Sequence, residues 1–222
     1  MAASTESLVT LAEPRSPGAE AYRTLRTNIQ FYSLDDPVRS VLVTSASAQE
    51  GKSTTIANLA VTFAQAGQQV ILVDSDLRRP ALHTYFGVKM SPGLSNVVRD
   101  DSDPIAVLQD TNVPGLRLLA SGDLPPNPSE LIGAQRMDRI ISDLRQEADI
   151  VLFDSPPIVA VTDAAILSRK VDGVVLVVSI GRTKRDHAVK AREILETAKV
   201  RVLGAVLNNV KMDSSLHRYY SS

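Results

Sequence analysis

One stretch of nine residues combines small, polar and basic side chains in the order that phosphate binding requires. It reads Ala46-Ser47-Ala48-Gln49-Glu50-Gly51-Lys52-Ser53-Thr54 and lies between an apolar run and a helical pattern. Only Ala46 departs from the usual phosphate-loop pattern, which begins with Gly. In such a loop, backbone N–H groups surround a polyphosphate, Lys52 neutralises its β and γ oxygens, and Ser53 offers a hydroxyl to Mg²⁺. Thr54 can donate to the α-phosphate.

Three aspartates follow two further apolar runs. Asp74 and Asp76 come after one run and Asp154 after another. Side chains two residues apart in an extended segment point the same way, so Asp74 and Asp76 can face one metal–phosphate site. An alternative is that this pair caps the short helix expected after Pro80. Asp154 is the natural partner of Ser53 in holding Mg²⁺, and the expected metal ligands are therefore Ser53, Asp76 and Asp154.

The elements that must position these residues follow from the hydrophobic pattern. Apolar runs without alternation, typical of strands buried on both faces, occupy 41–43, 70–73, 150–153, 174–178 and 202–207, with a weaker candidate at 116–119. Helical patterns occupy 19–31, 56–67, 130–145 and 183–198. This alternation predicts an α/β fold, a doubly wound and mostly parallel sheet of the P-loop NTPase kind, with ligands at the carboxyl ends of the strands.

Composition excludes several classes of protein. The 222 residues are 44% hydrophobic and 22% charged, which is ordinary for a globular domain and not for a disordered or fibrous chain. With 24 Lys and Arg against 25 Asp and Glu, no global basic surface for nucleic acid is expected. The absence of cysteine excludes disulfides and thiolate chemistry.

The same pattern predicts how the chain is divided. We expect a flexible lead-in over 1–16, one P-loop α/β domain over 17–210, and a flexible tail over 211–222 that carries the pair Tyr219-Tyr220. No apolar run reaches the length of a membrane span, so a cytoplasmic location is expected.

The three motifs together resemble those of the BY-kinases, the bacterial protein-tyrosine kinases of capsule and exopolysaccharide export. Their Walker A, A-prime and B motifs are similar to 46–54, 71–78 and 151–157. The helical segment that contains Glu20, Arg23 and Arg26 resembles the family's E-x2-R-x2-R oligomerisation motif, and 122–131 resembles its Pro-rich loop. The resemblance covers nearly the whole chain, from about Val9 to the tail.

This resemblance implies roles for individual residues. Lys52, Asp74 and Asp76 would be catalytic, with Asp74 near the acceptor hydroxyl as base or metal partner and Asp76 helping to hold the site. Because a phenol has a pKa of about 10 and a carboxylate about 4, Asp74 would accept the proton late, in a loose transition state. Asn208 matches the position that reads adenine in related nucleotidases, although it could also be a generic loop residue.

The resemblance also implies an activity and partners. The chain would use ATP and Mg²⁺ to phosphorylate Tyr219 and Tyr220, in cis or in trans, within a homo-oligomeric ring such as an octamer. Glu20, Arg23 and Arg26 would form the subunit contact, unless they are simply a solvated charged face. A membrane-bound partner would activate the kinase through a cytosolic tail and recruit it to the inner face of the plasma membrane, where it would regulate polysaccharide polymerisation and export. The chain could equally be the cytosolic domain of a fused protein.

Two other functions share these motifs. ParA/MinD-like positioning ATPases have the same loop and strand-end aspartates, but they carry a signature Lys where this chain has Ser47. A catalytically weak scaffold for polysaccharide export is a third possibility, which the presence of all four charged site residues does not support. Other chemistry-bearing side chains are expected to lie outside the site: His83, His187 and His217 lack a metal-binding spacing, and Tyr22, Tyr32 and Tyr85 are expected to pack.

Overall fold

The computed structural model describes residues 8–32 and 37–210. In this part of the chain the strands are β1 (Ser40–Ser45), β2 (Val70–Asp74), β3 (Gln109–Asp110), β4 (Leu116–Leu119), β5 (Ile150–Asp154), β6 (Gly173–Ser179) and β7 (Val202–Asn208). The helices are α1 (Val9–Ala12), α2 (Pro17–Tyr32), α3 (Lys52–Gln65), α4 (Leu82–Phe86), α5 (Leu94–Asp100), α6 (Pro128–Gly133), α7 (Gln135–Glu147), α8 (Asp163–Ser168) and α9 (Arg185–Thr197). The predicted strands are all present, and the expected α/β fold is confirmed.

The strands form one sheet in the order β3-β4-β2-β5-β1-β6-β7. All neighbours are parallel except β3 and β4, which are antiparallel. Strand β5 lies between β1 and β2, so the carboxyl ends of these three strands are adjacent. A doubly wound sheet binds its ligand at the carboxyl ends of its strands, at the point where the strand order reverses.

Apolar side chains pack on both faces of the sheet, as the unbroken apolar runs predict. On one face, Leu72 and Leu152 of the sheet pack with Phe63 of α3 and with buried side chains of α1, α2 and α4. On the other face, Ile71 and Phe153 pack with α5 to α9. The three central strands are buried at every position. The sheet is thus a rigid support for the residues at its carboxyl edge.

Three sequence expectations are wrong in detail. The run at 202–207 is not buried on both faces, because β7 is the edge strand and Leu207 is 59% exposed. The helical pattern at 130–145 is two helices, since the backbone of Ala134 is extended between α6 and α7. The expected lead-in is fixed from Leu8 onward: Leu8 is fully buried, and the Thr10 backbone and hydroxyl both donate to Asn58 Oδ1 at 3.0 and 2.8 Å.

No helix within the described residues is long and apolar enough to cross a membrane.

Candidate active site

The carboxyl edge of the central strands brings the sequence-predicted aspartates together. Asp74 ends β2 and Asp154 ends β5, and the two residues are direct register partners between parallel strands. Strand β1, which leads into the phosphate loop, lies on the other side of β5. Both carboxylates are completely buried. The sheet therefore places two acidic groups and the loop within one small region.

Lys52 lies between two of the carboxylates. Its Nζ atom is 3.1 Å from Asp76 Oδ2 and 3.6 Å from Asp154 Oδ1, and the lysine side chain is only 12% exposed. Burial alone would lower the pKa of Lys52, but the charges of Asp154 and Asp76 outweigh it and raise this pKa above its usual value. Lys52 is thus cationic and offsets part of the negative charge of the cluster.

The surroundings of Asp74 strongly raise the pKa of its carboxyl group. Burial, together with the nearby charge of Asp154, raises the pKa of Asp74 to about 7, while the Leu82 N–H and Lys52 oppose this shift. Burial also raises the pKa of Asp154, against the opposing attraction of Lys52 and the hydroxyl of Ser53. A carboxyl group with a pKa near 7 is suited to proton transfer at neutral pH.

The backbone after β2 fixes the orientation of Asp74 and Asp76. Asp74 Oδ2 accepts hydrogen bonds from the N–H groups of Ala81 and Leu82 at 3.0 and 2.9 Å. Asp76 Oδ1 accepts from the N–H of Arg79 at 3.0 Å, which leaves Oδ2 directed at Lys52. The alternative interpretation, that these aspartates cap the helix after Pro80, is correct for one oxygen of Asp74, while its other oxygen stays unbonded.

The phosphate loop has the backbone shape that its glycine permits. Gly51 precedes α3 with φ of +87°, and a side chain there would place its Cβ 2.0 Å from Asn208 Nδ2. Asn208 Nδ2 donates to the Glu50 carbonyl at 2.9 Å, so the end of β7 contacts the loop. Ala46, the position that departs from the usual motif, is buried in the core.

Thr183 and His187, which follow β6, contact side chains of the phosphate loop. Glu50 is 1% exposed; its Oε2 accepts from the Ser47 N–H at 2.9 Å and its Oε1 from the Thr183 hydroxyl at 2.6 Å. Ser47 Oγ lies 2.8 Å from Nδ1 of His187. Ser47 thus takes part in supporting the loop, and His187, which was not expected to lie near the site, contacts it. Within the sequence no spacing could have indicated this contact.

A cleft of about 320 Å³ opens above the loop. It is lined by the loop from Ala48 to Thr54 together with Asp76, Arg79, Ala81, Tyr85 and Pro157. Three larger clefts, of about 350, 440 and 520 Å³, lie away from Asp74, Asp76 and Asp154. The cleft above the loop is lined by Lys52 and Asp76 of the charged cluster, and it is therefore the candidate site. Tyr85, expected only to pack, lines it.

Sequence reasoning also missed an ion pair beside the site. Arg78, at the end of the A-prime motif, donates through Nε and Nη2 to the two carboxylate oxygens of Asp163 at 2.8 and 3.0 Å. Asp163 also accepts from the Ser129 hydroxyl at 2.6 Å. The hydrogen bonds to Arg78 and Ser129 lower the pKa of Asp163 despite its burial. This pair connects the loop that carries Asp76 to α6 and α8.

The other predicted site residues lie apart from the cleft or outside the described residues. Arg23 Nη1 pairs with Glu20 Oε2 at 2.9 Å, and Arg26 Nη1 donates to the Thr62 carbonyl of α3 at 2.7 Å. These contacts lie within one chain, and a role between subunits stays a prediction. Tyr219 and Tyr220 fall outside the described residues.

The donor set fits a divalent cation. Ser53 Oγ donates to Asp154 Oδ2 at 2.6 Å, while Asp154 Oδ1 is buried without a hydrogen-bond partner. Hydroxyl and carboxylate oxygens are the ligands that Mg²⁺ prefers. Within 8–32 and 37–210, no group of three or more His, Cys, Asp or Glu side chains is arranged to hold a metal by itself. Phosphate oxygens and waters would therefore complete the coordination.

A parallel sheet with a phosphate loop after β1 and aspartates after β2 and β5 defines a P-loop NTPase. A family model described as ParA, NUBPL iron-transfer P-loop NTPase, matches residues 38–218. The chain is 45% identical over 217 residues to the tyrosine-protein kinase YwqD of Bacillus subtilis, covering 97% of this chain and 92% of YwqD. It is 38% identical over 206 residues to the putative tyrosine-protein kinase EpsB of Ralstonia nicotianae, covering 93% of this chain and 27% of EpsB.

A solved structure agrees with these relatives. The chimerical protein CapA2B2 superposes with a TM-score of 0.89 at 36% identity, covering 96% of this chain and 95% of that one. The chain therefore belongs to the BY-kinase family of P-loop NTPases. The predicted enzyme class, a protein-tyrosine kinase, is confirmed, and nucleotide binding follows from it.

Proposed function

We propose that the chain is an ATP- and Mg²⁺-dependent autokinase that phosphorylates its own Tyr219 and Tyr220 and regulates polysaccharide polymerisation and export. One observation carries the chemical part of this proposal. The carboxyl edge of the sheet holds a buried cation, Lys52, among Asp74, Asp76 and Asp154. The family resemblance supports the tyrosine acceptors and the polysaccharide role.

Binding begins with an exchange of partners at Lys52. Its ammonium group forms ion pairs with Asp76 and Asp154. Phosphate oxygens compete for that ammonium group, while the bound cation would be held by Ser53, Asp154 and Asp76. Mg²⁺ supplies charge neutralisation for the β and γ oxygens. Lys52 then stabilises the charge on the transferring group, which is where most catalysis of phosphoryl transfer arises.

Asp74 acts on the acceptor. The N–H groups of Ala81 and Leu82 hold its Oδ2, and its Oδ1 is free to receive a proton. As the bond between the γ-phosphorus and the bridging oxygen breaks, the tyrosine oxygen forms the new bond to phosphorus and its proton passes to Asp74. The products are ADP and phosphotyrosine. The raised pKa of Asp74, about 7, makes it a better proton acceptor than an ordinary aspartate.

We propose that phosphate is transferred to Tyr219 and Tyr220 between subunits. We infer a homo-oligomeric ring, such as an octamer, in which Glu20, Arg23 and Arg26 of α2 contribute to the subunit contact. Both members of the Glu20–Arg23 pair are partly exposed, at 44% and 31%, so they are accessible to a neighbouring subunit. Asn208, beside the phosphate loop, would contact the adenine end of the nucleotide.

A membrane-bound activator is the second proposed partner, with recruitment of the kinase from the cytoplasm to the inner face of the plasma membrane. The similar structure is a chimera named for CapA and CapB, and the chain covers only 27% of EpsB. Both observations support a kinase that works with a further polypeptide, either separate or fused. No nucleic-acid partner is proposed, because the net charge is −1.

The test is intact-mass and peptide mass spectrometry after incubation with Mg-ATP. Phosphate on Tyr219 or Tyr220 is expected in the native chain and not in Lys52→Met or in the double variant Tyr219→Phe/Tyr220→Phe. Mixing these two variants tests transfer in trans, because one has only acceptors and the other only an intact site. ATP hydrolysis without phosphotyrosine, even with an activator tail present, would instead favour the ParA/MinD-like positioning ATPase.

A further inference from the structure

Tyr85 brings a phenolic hydroxyl to the nucleotide cleft. It lies in α4, packs with its ring against the apolar cluster on the α3 side of the sheet, and lines the cleft above the phosphate loop. Its hydroxyl oxygen is 2.7 Å from Thr54 Oγ1. Thr54 is the loop residue whose hydroxyl can reach the α-phosphate. The structure thus joins a residue outside every motif to a phosphate-binding side chain.

The two hydroxyls constrain each other. Each has one hydrogen to donate and two lone pairs that accept. A phenolic O–H is more acidic than an aliphatic one, and it is therefore the better donor of the pair. When Tyr85 donates to Thr54 Oγ1, the Thr54 hydrogen must point elsewhere, and the cleft is the open direction. Donation from Tyr85 also polarises the Thr54 hydroxyl and strengthens the bond that it makes onward.

The surroundings hold both partners in place. The Thr54 carbonyl accepts from Asn58 Nδ2 at 2.9 Å, and Asn58 is itself fixed by the two hydrogen bonds from Thr10. The ring of Tyr85 packs against the buried apolar side chains on the α3 side of the sheet. Tyr85 is therefore a pre-oriented donor, and its contact with Thr54 does not depend on a mobile side chain.

We propose that Tyr85 is a positioning residue for nucleotide binding, whose hydroxyl orients the Thr54 hydroxyl toward the α-phosphate of the bound nucleotide. This inference rests on the nucleotide site of the proposed function and adds a residue to it. Tyr85 acts through Thr54 on the α-phosphate, whereas Lys52 and Asp74 act on the transferring group and the acceptor. Its loss should therefore affect affinity and leave the chemical step nearly unchanged.

The experiment is a double-mutant cycle on ADP affinity, measured by titration calorimetry with Mg²⁺. Tyr85→Phe keeps the ring and removes only the hydroxyl. We expect it to weaken ADP binding about 3- to 10-fold, the usual effect of one hydrogen bond. Thr54→Val should weaken binding at least as much. Because Tyr85 acts through Thr54, the double variant should bind ADP no more weakly than Thr54→Val alone.

Tyr32→Phe is the matched control, since it removes a phenolic hydroxyl from a half-exposed side chain at the far end of α2. Its ADP affinity should equal that of the native chain. Tyr85→Phe should also raise the KM for ATP with kcat changed less than about twofold. Thermal unfolding of each variant without nucleotide reports whether the fold is retained.

Two results would overturn the inference. One is a Tyr85→Phe variant that binds ADP as tightly as the native chain; the other is a double variant whose loss is the product of the two single losses. Neither result affects the proposed function. Failure of the native chain to bind ADP at all would instead remove the nucleotide site on which the proposed function depends.

Discussion

Strands β5 and β7 have similar apolar sequences but very different environments. β5 is buried at every position and ends at Asp154, at the centre of the charged cluster. β7 is mostly exposed, with Leu207 at 59% and Val202 at 39%, yet its last residue, Asn208, contacts the phosphate loop. Both strands are parallel to their neighbours. The difference that matters is their place in the sheet: β5 is central, and β7 is at an edge.

The difference shows what each place can do chemically. At the centre, water is excluded, so the charge of Lys52 acts strongly on Asp76 and Asp154 and the pKa of Asp74 rises to about 7. At the edge, side chains remain in water and can be changed with little effect on the fold. Substitutions at the centre of the sheet should therefore have larger effects than substitutions at its edge.

Replacement of the central cation should have the largest effect. Lys52→Met removes the charge that stabilises the transferring phosphoryl group, and we expect kcat/KM to fall at least about 100-fold. The measurement is initial-rate phosphorylation of tyrosine. Lys190→Met, at an exposed position of α9, is the control and should retain full activity. Substantial activity in Lys52→Met would mean that the buried cluster is structural.

Equal truncations at the centre and the edge should differ in their effects on stability. Leu152→Ala removes a fully buried side chain of β5 and should lower the free energy of unfolding by about 2–5 kcal/mol. Leu207→Ala removes an exposed side chain of β7 and should change it by less than about 0.5 kcal/mol. Urea denaturation of both variants gives the comparison. A large loss from Leu207→Ala would show that another segment or subunit covers β7.

The motif residues could be predicted from sequence because each is coupled to a local pattern. Asp74 and Asp154 follow apolar runs, and a parallel sheet brings the ends of such runs to one edge. The chemistry of Lys52 and Ser53 likewise follows from the loop between a strand and a helix. The predicted order of strands, loop and helices was therefore enough to predict that these charged groups lie close together.

The supporting contacts could not be predicted, because they join side chains that are distant along the chain. The partners in the Ser47–His187 and Arg78–Asp163 contacts are 140 and 85 residues apart. Nothing local to either residue indicates its partner, which depends on how helices pack on the sheet. The exposure of β7 was also missed, since an apolar run does not reveal whether its strand is central or at an edge.

The raised pKa of Asp74 gives opposite predictions for stability and activity. Between pH 4 and about 7 the folded chain binds a proton at Asp74 that the unfolded chain releases, so this group's contribution to stability falls as pH rises. Asp74→Asn removes the buried charge and keeps an oxygen for the Ala81 and Leu82 N–H groups. We therefore expect its melting temperature to exceed that of the native chain by a few degrees at pH 8, and not at pH 4.

Activity should rise with pH over the range in which the contribution of Asp74 to stability falls. A protonated Asp74 cannot accept the acceptor's proton, so kcat/KM of the native chain should fall as pH decreases through about 7. Phosphorylation rates measured from pH 5.5 to 8.5 give this profile. Asp74→Asn should lose most activity at every pH. A native profile that is flat across pH 7 would contradict the assignment of Asp74 as the proton acceptor.

The smallest effect is expected at a surface ion pair. Arg23 and Glu20 are as close as Lys52 and Asp76, at 2.9 and 3.1 Å, but they are far more exposed. Exposed pairs contribute little because water screens them. Arg23→Gln should therefore lower the free energy of unfolding of the isolated chain by no more than about 1 kcal/mol. If the pair belongs to a subunit contact, the same variant should lower the oligomer mass measured by light scattering, whereas Arg192→Gln on α9 should not. An unchanged oligomer mass would leave the pair as an ordinary solvated contact, because its exposure alone gives it no other role.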